Sequence, residues 1–151
     1  MLTEKPSVGL DIARVVGADT RNDGYCSGNG YIVTWALGHL VSLAMPDVYG
    51  YTKTTAEDLP MLPVPFRLVS RQIRTDRGIV TDIAATKQLK VIDSVFSKCD
   101  SIIVATDAGR EGELIFRWIY AFLECTKPFR RLWISSLTDE AIRKGLEELK
   151  D

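Results

Sequence analysis

The sequence predicts an α/β domain in which helices flank a central, mostly parallel sheet. Short apolar segments alternate along the chain with amphipathic segments of helical spacing, the pattern of strands joined by right-handed helical crossovers. Two acidic motifs, at position 4 and at 107–113, follow predicted strands, and ligands of parallel sheets gather at the carboxyl ends of the strands. A chain of 151 residues, 46% hydrophobic and 26% charged, is expected to form one globular domain.

The N-terminal half contains one clear helix and one clear strand. Apolar residues at positions 8, 12, 15 and 16 recur at helical spacing after a Pro-Ser pair, which is typical of a helix start. Turn-forming clusters at 22–24 and 27–30 precede the β-prone segment 31–35, which we predict to be a strand. Four prolines within residues 46–66 predict an extended, irregular connection.

The C-terminal half begins with a helix and a buried strand. The helix is predicted within residues 84–96, with Leu89, Ile92 and Phe96 on its apolar face. The continuous apolar run at 101–106 is typical of a buried parallel strand, and a turn containing glycine leads from it into the next helix. We expect the apolar face of that next helix to consist of Leu114, Trp118, Ile119 and Phe122.

The last strand and helix follow in the same order. An apolar triplet predicts a strand at 132–134. Thr138 is the predicted N-cap of the final helix, and Asp139 and Glu140 lie in its first turn, where acidic side chains offset the helix dipole. We expect this helix to bury Ile142, Leu146 and Leu149.

The composition excludes several classes of protein. No apolar run approaches the roughly 20 residues needed to cross a bilayer, and the first residues lack the features of a signal peptide, so we expect a cytoplasmic protein without membrane contact. Three widely spaced cysteines and one histidine argue against a zinc ribbon, a disulfide framework or a multi-histidine metal site. The net charge of −1 implies that any contact with nucleic acid is local or is made by other parts of the protein.

Acidic side chains cluster where the apolar run at 101–106 meets the following helix. Asp107, Glu111 and Glu113 would repel one another there, and a hard cation such as Mg²⁺, which prefers oxygen ligands, relieves that repulsion. The start of the helix offers free N–H groups to an anion, and Arg110 offers a bidentate contact to a phosphate. Acidic residues are also favoured in a first turn by the helix dipole alone, so a purely structural role stays open.

A second charged motif lies near the N-terminus. Glu4 and Lys5 place a carboxylate and an ammonium side by side just before the first helix. Such a pair is common on solvated protein surfaces and contributes little by itself. It gains significance from its combination with the acidic cluster around Asp107.

Three linked motifs together resemble a known family. They are E-K-P-S at 4–7, G-N-G-Y-I-V-T-W-A-L-G-H-L at 28–40 and A-T-D-A-G-R-E-G-E at 105–113. In order and separation they are similar to the Toprim domain of type IA DNA topoisomerases of the bacterial topoisomerase III kind. The resemblance covers essentially the whole chain. It implies a Rossmann-like Toprim fold, with residues 1–151 as the catalytic Toprim domain of a longer topoisomerase.

The resemblance also implies a role for each matching residue. Glu4 matches the family's acid/base glutamate, which lies near the metal, and Lys5 matches a lysine close to the scissile phosphate. Arg110 matches the arginine of the R-E-G-E signature, so the implied catalytic residues are Glu4, Lys5 and Arg110. Asp107 and Glu111 match the first and last acids of the D-x-D-x-E metal motif. The implied Mg²⁺ ligands are Glu4, Asp107, Glu111 and Glu113.

Two features depart from the family pattern. Gly109 replaces the middle acid of D-x-D-x-E, which implies weaker or single-site metal binding, completed by Glu113 or by water. Only three residues precede Glu4, where the family has a longer apolar strand, so we expect a trimmed first strand.

The implied activity is the breaking and rejoining of single DNA strands. A tyrosine in another domain would form a covalent 5′-phosphotyrosine, Glu4 would donate a proton to the departing 3′ oxygen, and Lys5, Arg110 and Mg²⁺ would stabilise charge at the phosphate. The implied partners are single-stranded DNA segments, contacted at their phosphates, and the remaining domains of the same topoisomerase. The fragment alone is not expected to pass strands. Two alternatives stay open: another Toprim enzyme, primase-like or nuclease-like, and a non-catalytic Mg²⁺- or DNA-binding module.

Other polar and aromatic residues suit structural roles. We expect His39, the single histidine, to be a hydrogen-bonded structural residue. Four arginines recur every three or four residues and would either follow a DNA backbone or lie on a solvated surface: Arg67, Arg71, Arg74 and Arg77. The three tryptophans fall in apolar patterns and are expected in the core: Trp35, Trp118 and Trp133.

Overall fold

The computed structural model describes residues 1–51, 53, 55–76 and 78–151. In chain order the strands are β1 (Leu2–Thr3), β2 (Thr20–Asn22), β3 (Tyr25–Gly28), β4 (Tyr31–Trp35), β5 (Val41–Leu43), β6 (Leu68–Ser70), β7 (Gln72–Thr75), β8 (Gly78–Thr81), β9 (Ile102–Ala105) and β10 (Phe129–Arg131). The helices are α1 (Pro6–Val16), α2 (Ile83–Lys98), α3 (Arg110–Phe122) and α4 (Asp139–Glu147).

A six-stranded sheet forms the centre of the fold, in the order β10-β9-β1-β4-β3-β2. The first four strands are mutually parallel, while β3 and β2 add an antiparallel hairpin at the far edge. The predicted α/β class with a mostly parallel central sheet is therefore confirmed. The short strand β1 lies between β9 and β4, because Leu2 pairs with Val104 on one side and with Thr34 on the other.

The helices cover both faces of this sheet. Side chains alternate between the faces along each strand, so that Val104 packs into one hydrophobic cluster and its neighbour Ala105 into the other. Helices α2 and α3 cover the face of Val104, and α1 and α4 cover the face of Ala105. The largest fully buried side chains of the two clusters include Phe116, Leu2, Ile92, Ile119, Ile12, Leu132 and Ile142.

Helix α1 confirms the helix predicted from the apolar spacing at 8–16. Pro6 occupies the first turn, where its missing N–H costs nothing, and Gly17 ends the helix in the left-handed conformation with φ of 76°. The helix lies very close to the sheet, since a Cβ at Gly9 would come within 2.8 Å of the Trp35 ring and 3.0 Å of the Thr3 hydroxyl. The loop that precedes α1, which contains Glu4, is thereby fixed against the strands.

Helix α2 confirms the helix predicted at 84–96. Asp82 caps it by accepting hydrogen bonds from the backbone N–H groups of Ala84 and Ala85. The buried Gln88 joins the helix to the sheet, because its amide donates to the carbonyl oxygens of Gly24 at 3.1 Å and Trp35 at 2.7 Å. The predicted apolar residues Leu89, Ile92 and Phe96 are all buried.

The apolar face predicted for α3 is only partly correct. Of the four predicted residues only Ile119 is buried, while Leu114, Trp118 and Phe122 are half-buried at the flank of the helix. The buried residues of the helix are Gly112, Ile115, Phe116 and Ile119. The helix is therefore rotated by about one residue, or roughly 100°, from the predicted orientation.

The last strand begins and ends three residues before the prediction. The pairing of Arg131 with Val104 would bring residue 133 opposite Thr106, where β9 has already ended, so the predicted strand 132–134 is wrong. Trp133 lies beyond the end of the sheet and is 58% exposed, which contradicts its predicted place in the core. Trp35 and Trp118 are half-buried.

Helix α4 begins as predicted. The hydroxyl of Thr138 accepts a hydrogen bond from the N–H of Ala141 at 3.3 Å, and Ile142 is fully buried. The predicted burial is only partly correct, because Leu146 is half-buried and Leu149, also half-buried, lies beyond the helix end at Glu147. The helix packs against the chain that leaves β10. A Cβ at Gly145 would lie 2.5 Å from the Cγ2 of Ile134.

Residues 46–66 contain two short 3₁₀ helices and otherwise irregular backbone in their described part, which confirms the predicted irregular connection. Two small antiparallel pairs, β5 with β6 and β7 with β8, complete the region before α2. All three cysteines lie in the described part of the chain and are free. Among the described residues, the helices are too short or too polar to traverse a bilayer.

Candidate active site

Two predicted site residues emerge from neighbouring parallel strands at one edge of the sheet. Glu4 follows β1 directly, and Asp107 lies two residues beyond β9. Because Thr3 pairs with Ala105, Glu4 and Thr106 are level, and Asp107 lies one residue further out. The strand register therefore places the backbones of two acidic residues that are far apart in the sequence at the same edge of the sheet.

The loop after β4 borders Glu4 on its other side. The N–H of Ala36 donates to the carbonyl of Thr3 at 2.8 Å, and the N–H of Gly38 donates to the carbonyl of Glu4 at 3.3 Å. Glu4 is half-buried between this loop and the end of β9. Its backbone is thus held by the sheet rather than by local turns.

A cavity of about 500 Å³ opens at the same edge. Lys5 and Asp107 both line it, and both are exposed at the surface. The opposite wall is formed by residues 132–137, which connect β10 to α4. An ammonium group and a carboxylate that share one accessible cavity can together bind a phosphate and a cation.

Helix α3 begins directly above Asp107 because residue 112 is a glycine. A Cβ at Gly112 would lie 2.1 Å from the carbonyl oxygen of Asp107, so no other residue fits without moving the backbone. The hydroxyl of Thr106 donates to the carbonyl of Gly112 at 2.8 Å and fixes the same approach. Sequence reasoning missed Gly112, although a glycine in the first turn of a helix is unfavourable by about 1 kcal/mol and signals a special role.

Glu111 projects from the first turn of α3 towards the loop after β4, where its carboxylate contacts the Nε2 of His39. The His39 ring also packs edge-on against Trp118, with ring centroids 5.7 Å apart. The prediction of a hydrogen-bonded structural histidine is confirmed, but its partner was not foreseen. The carboxylate of Glu111 remains 72% exposed.

Arg71 fixes the backbone that presents His39. Its Nη1 donates to the carbonyl oxygens of Leu37 at 2.9 Å and His39 at 3.1 Å, and its Nη2 donates to Asp82 at 2.6 Å. The hydrogen bond from Arg71, with those from the helix backbone, holds the pKa of Asp82 below its ordinary value. Arg71 is therefore a structural residue and not a member of an exposed arginine row.

The other arginines of the predicted row have different environments. Arg67 and Arg74 are exposed, and Arg77 lies outside the described residues. The alternatives of a DNA-contacting row and a solvated surface remain untested for Arg67 and Arg74.

Glu113 projects away from Glu111, to the side of β10. Its carboxylate accepts a hydrogen bond from the Nε of Arg117 at 2.6 Å and contacts the Nη2 of Arg131. Burial alone would raise the pKa of Glu113, but the two arginines outweigh it and hold the pKa below the ordinary value. Sequence reasoning missed this difference in direction between Glu111 and Glu113. Helix geometry could have shown it, because residues two apart on a helix project about 200° from each other.

No group of three or more histidine, cysteine, aspartate or glutamate side chains among the described residues lies close enough together to hold a metal ion as it stands. Mg²⁺ is nevertheless commonly held by one or two carboxylates together with waters and substrate phosphates, and Glu4 and Asp107 fit that requirement. Glu111 contacts the loop that borders Glu4. The assignment of Glu113 as a ligand stays a prediction, with two arginines as its partners here.

The remaining features at this edge are the cationic side chain of Arg110 and the empty space beside Gly109. Arg110 is exposed at the first position of α3, and none of the ion pairs among residues 1–51, 53, 55–76 and 78–151 involves it. A Cβ at Gly109 would meet nothing within 4 Å, so the place of the missing middle acid is open space. This edge therefore has carboxylates that could bind a cation. It also has Lys5, Arg110 and a helix N-terminus, which could bind a phosphate.

Comparison with known proteins identifies a family and several relatives. The Toprim domain family matches residues 1–137. DNA topoisomerase 3 of Shouchella clausii is 48% identical over 155 residues, which is 100% of this chain and 20% of that protein. DNA topoisomerase 3 of Bacillus subtilis is 46% identical over 154 residues, and that of Bacillus cereus is 50% identical over 155 residues, each covering 99% of this chain and 20% of the relative. The chain thus spans about a fifth of the length of these curated relatives.

Proposed function

Because this chain belongs to the Toprim domain family, we propose that it is the Mg²⁺-binding catalytic domain of a type IA DNA topoisomerase. In this proposal the enzyme breaks and rejoins single DNA strands through a tyrosine outside residues 1–151. The similarity of the whole chain to proteins named DNA topoisomerase 3 supports the proposal. So does the length of those proteins, of which this chain covers only a fifth.

The observation that carries the proposal is the position of Glu4 and Asp107 at the ends of adjacent parallel strands. We propose that Asp107 and Glu111 hold Mg²⁺ directly, and that Glu4, the predicted third ligand, holds it through water, so that its carboxyl group stays free to carry a proton. The bound ion would neutralise charge on a DNA phosphate. Glu113 keeps its ion pairs with Arg117 and Arg131 and does not bind the ion. At Gly109 there is room for water where the family has an acid.

The chain's own residues would act on the phosphodiester as follows. The tyrosine hydroxyl loses its proton to water as its oxygen forms the bond to phosphorus. The bond from phosphorus to the 3′ oxygen then breaks, and Glu4 gives its proton to that 3′ oxygen. Lys5 and Arg110 bind the phosphate oxygens, and the N–H groups at the start of α3 add partial positive charge. The same groups would act in reverse when the strand is resealed.

Titration of Mg²⁺ into the chain by calorimetry tests the proposed metal site. We expect Asp107→Asn to weaken Mg²⁺ binding by about tenfold or more, because one of few carboxylate ligands is lost. Asp100→Asn is the matched control, since Asp100 is exposed and lies before the amino end of β9, whereas Asp107 follows its carboxyl end. If Asp107→Asn binds Mg²⁺ as tightly as wild type, the proposed metal site is wrong.

A covalent-adduct assay in the full-length protein separates the proposed enzyme from its alternatives. We expect a labelled single-stranded oligonucleotide to become attached through its 5′ phosphate, and Glu4→Gln to slow that attachment by roughly 10²–10⁴-fold. A non-catalytic module would bind Mg²⁺ without any adduct, and a primase-like or nuclease-like enzyme would give products without one.

The proposed DNA partner and the free cysteines are consistent with a cytoplasmic, reducing compartment.

A further inference from the structure

A larger cavity, of about 680 Å³, lies beside the proposed metal site on the β10 side. It is formed by the first two turns of α3, by β10 and by the residues that follow β10. Gly109 and Arg110 belong to its wall, so it begins two residues from Asp107. The cavity is therefore adjacent to the proposed metal site, and Trp133 stands between it and the cavity that contains Lys5, because it lines both.

The walls of this cavity are largely apolar and aromatic. Leu114 of α3, Phe129 of β10 and Trp133, which follows β10, line it. Trp133 is 58% exposed, which is unusual for so large an apolar side chain that has no place in the core. The exposed indole of Trp133 offers a surface on which a flat, apolar ring system can stack.

Arginines supply the charge of the cavity. Arg131 is bound to Glu113 and to the carbonyl of Thr106, so its charge is largely compensated. Arg117 donates only its Nε to Glu113, and its guanidinium lies 4.7 Å from the centroid of the Phe129 ring. Arg110 has no ion-pair partner among the described residues.

The balance of charge in the cavity favours an anionic ligand. Three arginines face the two acids Glu113 and Asp151. In a chain whose net charge is −1, such a local excess of arginine is the kind of surface that a polyanion can contact. Charge and stacking surface together fit a nucleotide.

We propose that this cavity binds one nucleotide of a single DNA strand. The base stacks on Trp133, and Arg110 and Arg117 contact the phosphates that flank it. The inference rests on the proposed function for the identity of the strand, which continues from the phosphate at the proposed metal site. Recognition of this kind tolerates any base, because every base has a flat face and the arginines contact only phosphate.

Fluorescence anisotropy of a labelled oligothymidylate, measured with the 151-residue chain at low salt and without Mg²⁺, tests this site. We expect Trp133→Ala to weaken binding by about fivefold or more and Trp133→Phe to stay within about twofold of wild type, because phenylalanine retains a stacking face. Arg117→Gln should reduce the slope of log affinity against log salt by about 1. Arg21→Gln is the control, since Arg21 is exposed on β2 at the far edge of the sheet.

An oligonucleotide with abasic positions separates stacking from phosphate contact. Wild type should lose as much affinity for it as Trp133→Ala loses for the intact strand, and Trp133→Ala should no longer distinguish the two strands. Equal binding by wild type and Trp133→Ala, an abasic strand bound as tightly as the intact one, or no saturable binding by wild type would each overturn the proposal. Because these measurements omit Mg²⁺, they are independent of the Asp107→Asn titration, so failure of one proposal is distinguishable from failure of the other.

Discussion

The imidazole of His39 contacts the carboxylate of Glu111, although 72 residues separate them in the sequence. This contact joins the loop after β4 to the first turn of α3, and Glu4 lies on the strand end between β4 and β9. Arg71 holds the backbone of His39 through its carbonyl oxygen. The pair therefore fixes the direction in which Glu111 projects before any ligand binds.

Removal of the His39 side chain should weaken metal binding. In His39→Ala the carboxylate of Glu111 loses the partner that orients it, and we expect Mg²⁺ affinity to fall by about 10–100-fold, the usual cost of losing such a partner. His39→Gln retains a donor and should lose less. Calorimetric titration provides the affinities, and an unchanged affinity in His39→Ala would show that Glu111 needs no such orientation.

Two glycines of the 105–113 motif should differ in their response to alanine. Gly112→Ala places a Cβ against the Asp107 backbone, and we expect a loss of about 1–3 kcal/mol in the free energy of unfolding together with weaker Mg²⁺ binding. Gly109→Ala is the matched control, because its Cβ would enter open space and its φ of −163° suits any residue. Denaturant unfolding gives both values, and equal stability of the two variants would contradict the close approach.

Restoring the missing acid of the D-x-D-x-E pattern should strengthen the metal site. Gly109 has room for a side chain, so we expect Gly109→Asp to fold normally and to bind Mg²⁺ about tenfold more tightly, since affinity for a hard cation rises with the number of charged ligands. Gly109→Asn, which lacks the charge, serves as the control in the same titration. If both variants bind Mg²⁺ as wild type does, the Gly109 position is remote from the ion.

The ion pairs of Glu113 predict a specific dependence of stability on pH. Because the pKa of Glu113 lies below its ordinary value of 4.5, the carboxylate stabilises the folded state above about pH 4.5 and loses that effect as the pH falls through its folded pKa. Glu113→Gln should therefore unfold more easily by about 1 kcal/mol near neutral pH, a modest value because solvent screens the partly exposed group.

The difference between wild type and Glu113→Gln should shrink as the pH falls below about 4.5. Denaturant unfolding at a series of pH values measures it. Glu147→Gln, at an exposed carboxyl outside the ion pairs of the described residues, should show no such difference. A difference that persists undiminished to pH 3 would exclude the ion pairs as its cause.

Elements with a strong local signal could be predicted from the sequence. The proline at the start of α1, the threonine cap of α4 and the apolar run of β9 all act through their immediate neighbours. The common edge of Glu4 and Asp107 was also predictable, because both follow parallel strands and such strands end together.

Features that depend on tertiary packing could not be predicted in this way. Strand β10 is limited by the end of its neighbour β9 and not by its own apolar residues, so Trp133 lies beyond the sheet and is exposed. The partner of His39 is set by how α3 lies over the loop after β4, which no local pattern encodes. The arginine partners of Glu113 could not be predicted for a simpler reason. Acidic residues that are close in the sequence need not be close in space, and Glu113 projects away from Glu111 towards Arg117 and Arg131.

The short strand β1 has a consequence for biosynthesis. Its residue Leu2 is synthesised roughly 100 residues before its partner Val104. Until then β1 has only the pairing with β4, and Glu4 has no acidic neighbour from β9. Non-local pairings of this kind form late in folding. An incompletely translated chain therefore cannot present an assembled pair of acids to nucleic acid.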